Sequence, residues 1–263
     1  MSIAIAIVPL AGGARLSRSG LAKHFSTWDD VVAEPEVAKK QNTMSFEVGN
    51  YFVAIGLMPA PIPAEELEGP IATSWLWPDA ATEMAQHKGH LIVTANTPDD
   101  ADPIEIRKLL TKATASILAS TDGALGVYWG DAGQLIGREL FVEMATELLP
   151  DALPFLLWID FRVGAVDQDS GLSFGFTDGM EELGLMELVT ENATEPPGEL
   201  RERLMSLADY LLTNGPVIQD GHTVGQDAHE QITVVYGPSP FGHEGDVMKL
   251  DYSSRKKKKG WFR

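Results

Sequence analysis

The sequence contains no cysteine, which excludes disulfides, thiolate metal sites and a cysteine nucleophile and fits a reducing compartment. Positive charge is scarce too. The 263 residues carry 20 Lys and Arg against 38 Asp and Glu, and six of those cations (Arg255, Lys256, Lys257, Lys258, Lys259 and Arg263) crowd the last nine positions. Residues 1–254 therefore hold 14 cations against 38 acids, a net charge of −24. A body so charged repels phosphate backbones and anionic lipid, so the expected partner of the folded part is a basic protein, with no nucleic acid and no membrane. The basic end, residues 254–263, reads as a solvated flexible tail. Long apolar runs are missing, since nothing approaches the roughly 18–20 residues that a membrane helix needs. The first ten residues are apolar but lack a basic leader region, and they read as a buried strand rather than a signal peptide. The expected location is cytoplasmic. Residues 11–17 turn on Gly12-Gly13 after a strand but have neither the lysine nor the glycine spacing of a nucleotide fingerprint, and no cofactor is expected.

The patterning that remains is mixed. Residues 3–8 form a β-branched apolar run closed by Pro9 and Gly12-Gly13, which predicts a central strand. A helical stretch follows over 16–25, then a strand-like one over 45–58 that a proline cluster ends. A further short strand is expected over 71–77, a helix over 79–86 and a strand over 90–95. That order is the split βαβ order of a ferredoxin-like unit, assigned to residues 1–100. Asp102-Pro103-Ile104-Glu105 is a helix start, with Asp102 as cap and Pro103 in the first turn, and an apolar stripe runs on to Leu118. Strands are expected over 124–129, 155–163, 172–176, 232–236 and 247–252, and helices over 138–149 and 199–213. The fold class is α+β, with mixed and antiparallel sheets and packed helices. A second α/β unit spans residues 101–253, with the seam expected at about 97–103 or, alternatively, within 132–153.

No catalytic constellation emerges. Gly171-Leu172-Ser173-Phe174-Gly175 has the spacing of a nucleophile elbow, but Ser173 alternates with apolar neighbours as a strand residue does and no helix follows. His87 and His90 read as polar turn residues. His222, His229 and His243, with nearby acids that include Asp227, form the alternative: a metal-dependent hydrolase. They lack the helix-face spacing that marks such sites. Adjacent acids such as Asp99-Asp100 and Glu181-Glu182 read as solvated. Trp129 and Asp131, and Asp160 beside Trp158, place aromatic and carboxylate groups close together in sequence; such aromatics read first as core or sheet-face packing and, where exposed, as interface anchors for a basic partner.

Residues 177–188 (Thr177, Gly179-Met180, Gly184, Glu187-Leu188), the helix after Pro196-Pro197 with Leu207-Ala208, Tyr210 and Leu211, and Asp220-Gly221-His222 together resemble the Suppressor-of-fused superfamily. With Gly89–Thr94 and Leu125–Gly130 added, the chain as a whole resembles the bacterial domain of unknown function 4261 family. The resemblance implies a mixed α/β domain without established catalytic residues. It also implies kinship with bacterial proteins proposed to neutralise secreted toxins. The expected function is therefore non-enzymatic protein binding, as an immunity or secretion-associated protein that neutralises a basic toxin, with Trp129, Asp131, Asp160, Glu181 and Glu182 as candidate contacts; an oligomeric scaffold is a further alternative.

Overall fold

A computed structural model describes residues 2–28, 33, 35–37, 42–97, 102–149, 151–167, 169–225 and 230–254. The architecture is α+β, and the chain divides into two compact units after Trp158.

The first unit is built on an antiparallel sheet of β1 (Ser2–Leu16), β2 (Glu36–Val37), β3 (Thr43–Val48), β4 (Tyr51–Met58), β5 (His87–Thr97), β6 (Thr121–Ala124), β7 (Gly126–Trp129) and β8 (Gln134–Gly137). Its order is β2-β3-β4-β5-β1-β7-β8, with β6 also paired to β1. β1 is central, as its β-branched run predicts, but it continues past Pro9 and Gly13 by means of a register shift after Leu10. Its even residues Ala4, Ala6 and Val8 are fully buried. On these small side chains helix α4 (Pro103–Ser120) lies across β1 and β5, flanked by α1 (Arg18–Phe25) and α5 (Arg138–Leu148). Asp102 caps α4 through Ile104 N at 2.9 Å, as the sequence predicts. Arg107 on the buried side of α4 pairs with Asp131 at 2.7 Å, and the Trp158 indole donates to Thr111 Oγ1 at 2.8 Å. On the opposite face, α2 (Ala64–Thr73) and α3 (Ala80–Met84) bury Ile62, Leu67, Trp77 and Met84 against Leu135, Ile7 and Tyr128.

Several expectations are corrected here. The strand expected over 45–58 is a hairpin, β3 and β4, turning at Gly49-Asn50. Residues 71–77 are the end of α2 and the turn after it: Leu67 and Ile71, four apart, share a helical apolar face. The first unit is not ferredoxin-like, because β5 lies between β1 and β4, whereas a split βαβ order inserts the first strand between the third and fourth. The seam falls at 158/159 rather than near 100, because α4 seals the β1/β5 face and belongs to the first core.

The second unit contains β9 (Asp160–Ala165), β10 (Ser173–Asp178), β11 (Leu188–Ala193), helix α6 (Pro197–Asn214), β12 (Thr223–Val224), β13 (Ile232–Pro238) and β14 (Asp246–Asp251). The strand expected over 155–163 starts later, after a 3-10 turn at Phe155–Leu157. Leu157, Trp158, Ile159, Asp160 and Phe161 are buried in succession, so strand alternation fails there. The sheet order is β12-β13-β14-β11-β10-β9. All pairs are antiparallel except β11 with β14, where α6 forms part of the long crossover that parallel strands need. Leu200, Leu204, Ala208 and Leu211 bury the face of α6 on β9, β10 and β11, each leucine contributing about 1.5–3 kcal/mol.

Gly126 sets how closely Trp77 approaches β7. A Cβ there would stand 2.5 Å from the Ile136 carbonyl oxygen and 2.6 Å from the Trp77 ring. Gly126→Ala is expected to destabilise the first unit by about 2–3 kcal/mol, measured by urea unfolding followed through tryptophan fluorescence.

Candidate functional site: the loop-capped end of the second sheet

The connection between β10 and β11 is organised around one buried carboxylate. Glu187 is 5% exposed, and its Oε1 accepts the backbone N–H groups of Gly179 (2.8 Å) and Glu181 (3.0 Å) while Oε2 accepts the Thr177 hydroxyl (2.6 Å). Thr177 Oγ1 in turn accepts Leu188 N at 2.8 Å, and the Glu187 carbonyl accepts Met248 N at 2.9 Å. The Glu187 carboxyl is held above its usual pKa because burial penalises the charge, and the nearby Asp178 charge adds to that effect. The three hydrogen bonds pull the other way without cancelling it. Gly179 and Gly184 both take positive φ, 111° and 77°, which lets this short segment turn twice. Met180, Leu183 and Leu188 are buried beneath it.

On the sheet face turned away from α6, the hairpin loop 239–245 folds over the end of β10. Phe241 stacks on Phe176 at 4.7 Å between ring centroids and tilts against Phe174 at 5.7 Å. His243 joins the cluster edge-on to Phe176, and the Arg162 guanidinium lies 5.9 Å from the same ring. His243 Nε2 meets Asp178 Oδ1 at 2.9 Å, and its Nδ1 meets Ser239 Oγ at 2.6 Å. A carboxylate only accepts, so Nε2 carries a proton, and in the neutral ring Ser239 donates to Nδ1. Ser239 Oγ also accepts Phe241 N at 3.0 Å. Serine, histidine and aspartate thus form a chain, but with the ring nitrogens exchanged relative to a hydrolytic triad and with the serine oxygen engaged by its own loop. Its evident work is positional, pinning loop 239–245 to β10. Because His243 bonds Asp178, the exposed acids Glu181, Glu182, Glu244 and Asp246 gather at one end of the sheet.

The residues singled out from sequence fare unequally. Trp129 is fully buried, with its ring 5.9 Å from that of Phe141, so it is a core residue and not an interface anchor. Asp131 is tied to Arg107, and Asp160, 2% exposed, holds Arg162 at 2.7 Å; both carboxylates serve internal ion pairs instead of a surface contact. Glu181 and Glu182 are exposed. His222 is exposed and its Nδ1 accepts Gln219 N at 3.2 Å, while His243 belongs to the clip just described. His229, Asp227, Asp99, Asp100 and the tail 255–263 lie outside the described residues. Among the described residues, no group of three potential metal ligands converges. Ser173 is buried in β10 and donates to the Glu195 carbonyl at 2.7 Å, as a strand residue does. His87 accepts Ile62 N at 3.0 Å and is a structural staple of the first unit. Sequence reasoning named Glu187 only as part of the resemblance, without a role, and missed Phe176, Ser239 and Phe241. Alternation along β10 places Phe174, Phe176 and Asp178 on one face, but nothing local reveals that a loop more than sixty residues away covers them.

Residues 176–251 match the family model described as Domain of unknown function (DUF4261). The match takes in the Glu187 segment, α6 and the capping loop, and it leaves out the whole first unit. No curated protein and no solved structure matches the chain. Among the described residues, no helix is long and apolar enough to cross a membrane.

Glu187 yields a signed pH prediction. A carboxyl whose pKa is raised on folding favours the folded state most below the unfolded value near 4.5, and that contribution is lost as pH rises through the folded value. Glu187→Gln keeps one acceptor for the two N–H groups and offers an amide donor to Thr177, so it imitates the protonated acid. Urea midpoints should show the glutamine variant gaining on the parent as pH rises from 4.5 to 8. Glu187→Ala should cost about 2–4 kcal/mol across the whole range, because two N–H groups and a hydroxyl lose their partner.

Proposed function

We propose that the chain binds another protein and that the acidic, loop-capped end of the second sheet receives a basic surface. The observation that carries this reading is how the second unit uses its few cations. Residues 159–254 contain eighteen acids but only Arg162, Arg201, Arg203 and Lys249 as bases. Arg162 pairs with Asp160, and Arg203 grips Glu230 through both terminal nitrogens at 2.9 and 3.0 Å and also holds Glu195. Arg201 donates from Nε to the Phe161 carbonyl at 3.2 Å. Three of the four cations are thus engaged within the unit, so the exposed acids keep their outward field. Such a field speeds the encounter with a basic partner and weakens with salt. Neutralisation of a basic secreted toxin inside the cytoplasm is the specific form that the Suppressor-of-fused resemblance supports. A second reading, an oligomeric scaffold, is favoured by the first unit: Ile3 (55% exposed), Ile5 (40%) and Phe52 (41%) stand on the sheet face away from α4.

Low-salt capture from the native host, with the full chain as bait, is expected to recover a basic protein. The double variant Glu181→Lys/Glu182→Lys should lower that protein's association rate at least about tenfold while leaving the thermal midpoint within about 2 °C, because both side chains are exposed. Recovery of no protein partner at low salt would sink the proposal.

A further inference from the structure

We infer that the chain's own basic segment, residues 255–263, docks on the open face of the second sheet, in the groove that β11, β13 and β14 form beside the last described residues. The groove encloses about 350 Å³, and its lining includes Val189, Glu191, Val235, Lys249, Asp251 and Tyr252. Tyr252 and Ser253 belong to its wall, and Ser254, the last described residue, follows them directly in the chain.

Three features match this occupant to this surface. The first is charge: six of the nine residues are cations, and the unit they adjoin holds eighteen acids against four bases. Exposed Glu191 and half-buried Asp251 border the groove. The second is the aromatic pair Trp261-Phe262 behind the lysines. Val235, 39% exposed, offers apolar surface, and Lys249, the single cation of the lining, offers an ammonium group to an aromatic ring. The third is reach. Trp261 is seven residues beyond Ser254 and extends at most about 24 Å, whereas β13 lies only one strand spacing of about 4.8 Å from β14. Tethering over so few residues gives an effective concentration in the millimolar range, so a weak contact in cis suffices. The inference depends on the chain's own residues alone and does not require the external partner proposed above.

The test is methyl NMR on the full chain at low salt. Ring currents from Trp261 and Phe262 should displace the Val235 and Val189 methyl resonances. Trp261→Ala/Phe262→Ala should remove the displacement, and reversing Lys256 to Lys259 to glutamate, or adding 0.5 M salt, should reduce it several-fold. Unchanged Val189 and Val235 resonances in both variants overturn the inference. So does a displacement that grows with protein concentration, which would assign the contact to a second copy. A displacement that arises only with vesicles of 30% phosphatidylserine in phosphatidylcholine overturns it in favour of a lipid surface. Effects confined to Val217 and Val224 would place the segment elsewhere and equally refute the groove.

Discussion

The second unit depends on the burial of one carboxylate. Glu187 sits where β10 hands over to β11, and in accepting Gly179 N, Glu181 N and the Thr177 hydroxyl it satisfies polar groups that a sharp turn would otherwise leave orphaned in the interior. Its backbone carbonyl holds Met248, which registers β14 beside β11 in the sheet's single parallel pairing. The direction of the turn also fixes where Asp178 points, and Asp178 is the anchor for His243. The buried carboxylate thus shapes the turn that leads from Asp178, which anchors His243, to the backbone contact with Met248. Desolvation makes the arrangement costly for a charged carboxyl, and the upward pull on its pKa is the trace of that cost.

The aromatic cap is best understood as a second, smaller core. The face of the sheet under α6 is filled by leucines, and Phe174 and Phe176 stand on the other face. Loop 239–245 supplies Phe241 and His243 there. Seven loop residues could not hold two rings in register by packing alone. Ser239 and Asp178, on either side of the imidazole, remove the rotational freedom that would otherwise oppose the stack. The same contact draws Glu244 and Asp246 toward Glu181 and Glu182, so an arrangement that completes the fold also concentrates negative charge at one edge.

Much of this was legible along the chain, and what was not has a physical cause. Helices α4 and α6 showed themselves through a cap and apolar stripes, because those signals are local: Asp102 does bond Ile104 N, and Leu200, Leu204, Ala208 and Leu211 do face inward. Strands were readable too, β10 through its alternating burial and β13 and β14 through their short apolar runs. Failures came where tertiary burial overrode periodicity. The unbroken burial from Leu157 to Phe161 mimicked a long strand, and the Leu67 and Ile71 face of α2 was hidden behind three prolines. The candidate site was half legible. Glu181 and Glu182 are exposed acids, as their polarity implied, but Trp129, Asp131 and Asp160 share the composition of an interface while doing the work of a core, and proximity in sequence cannot separate the two.

The distribution of cations decides how the acidic surface behaves. An arginine that bridges two carboxylates, as Arg203 does with Glu195 and Glu230, lies only 11% exposed and contributes to cohesion more than to surface potential. Had the same few bases been scattered among the exposed acids, they would have formed surface pairs worth about 0–1 kcal/mol each and would have blunted the field at close range. Placed inside, they neutralise buried acids that would be costly to leave alone, and Glu181, Glu182, Glu244 and Asp246 are exposed at the rim. At 0.15 M salt that field decays over about 8 Å, so it acts on a partner only in the last steps of approach, where orientation is chosen. Stability and recognition therefore draw on the same scarce residues in opposite ways, and the interior placement of arginine serves both.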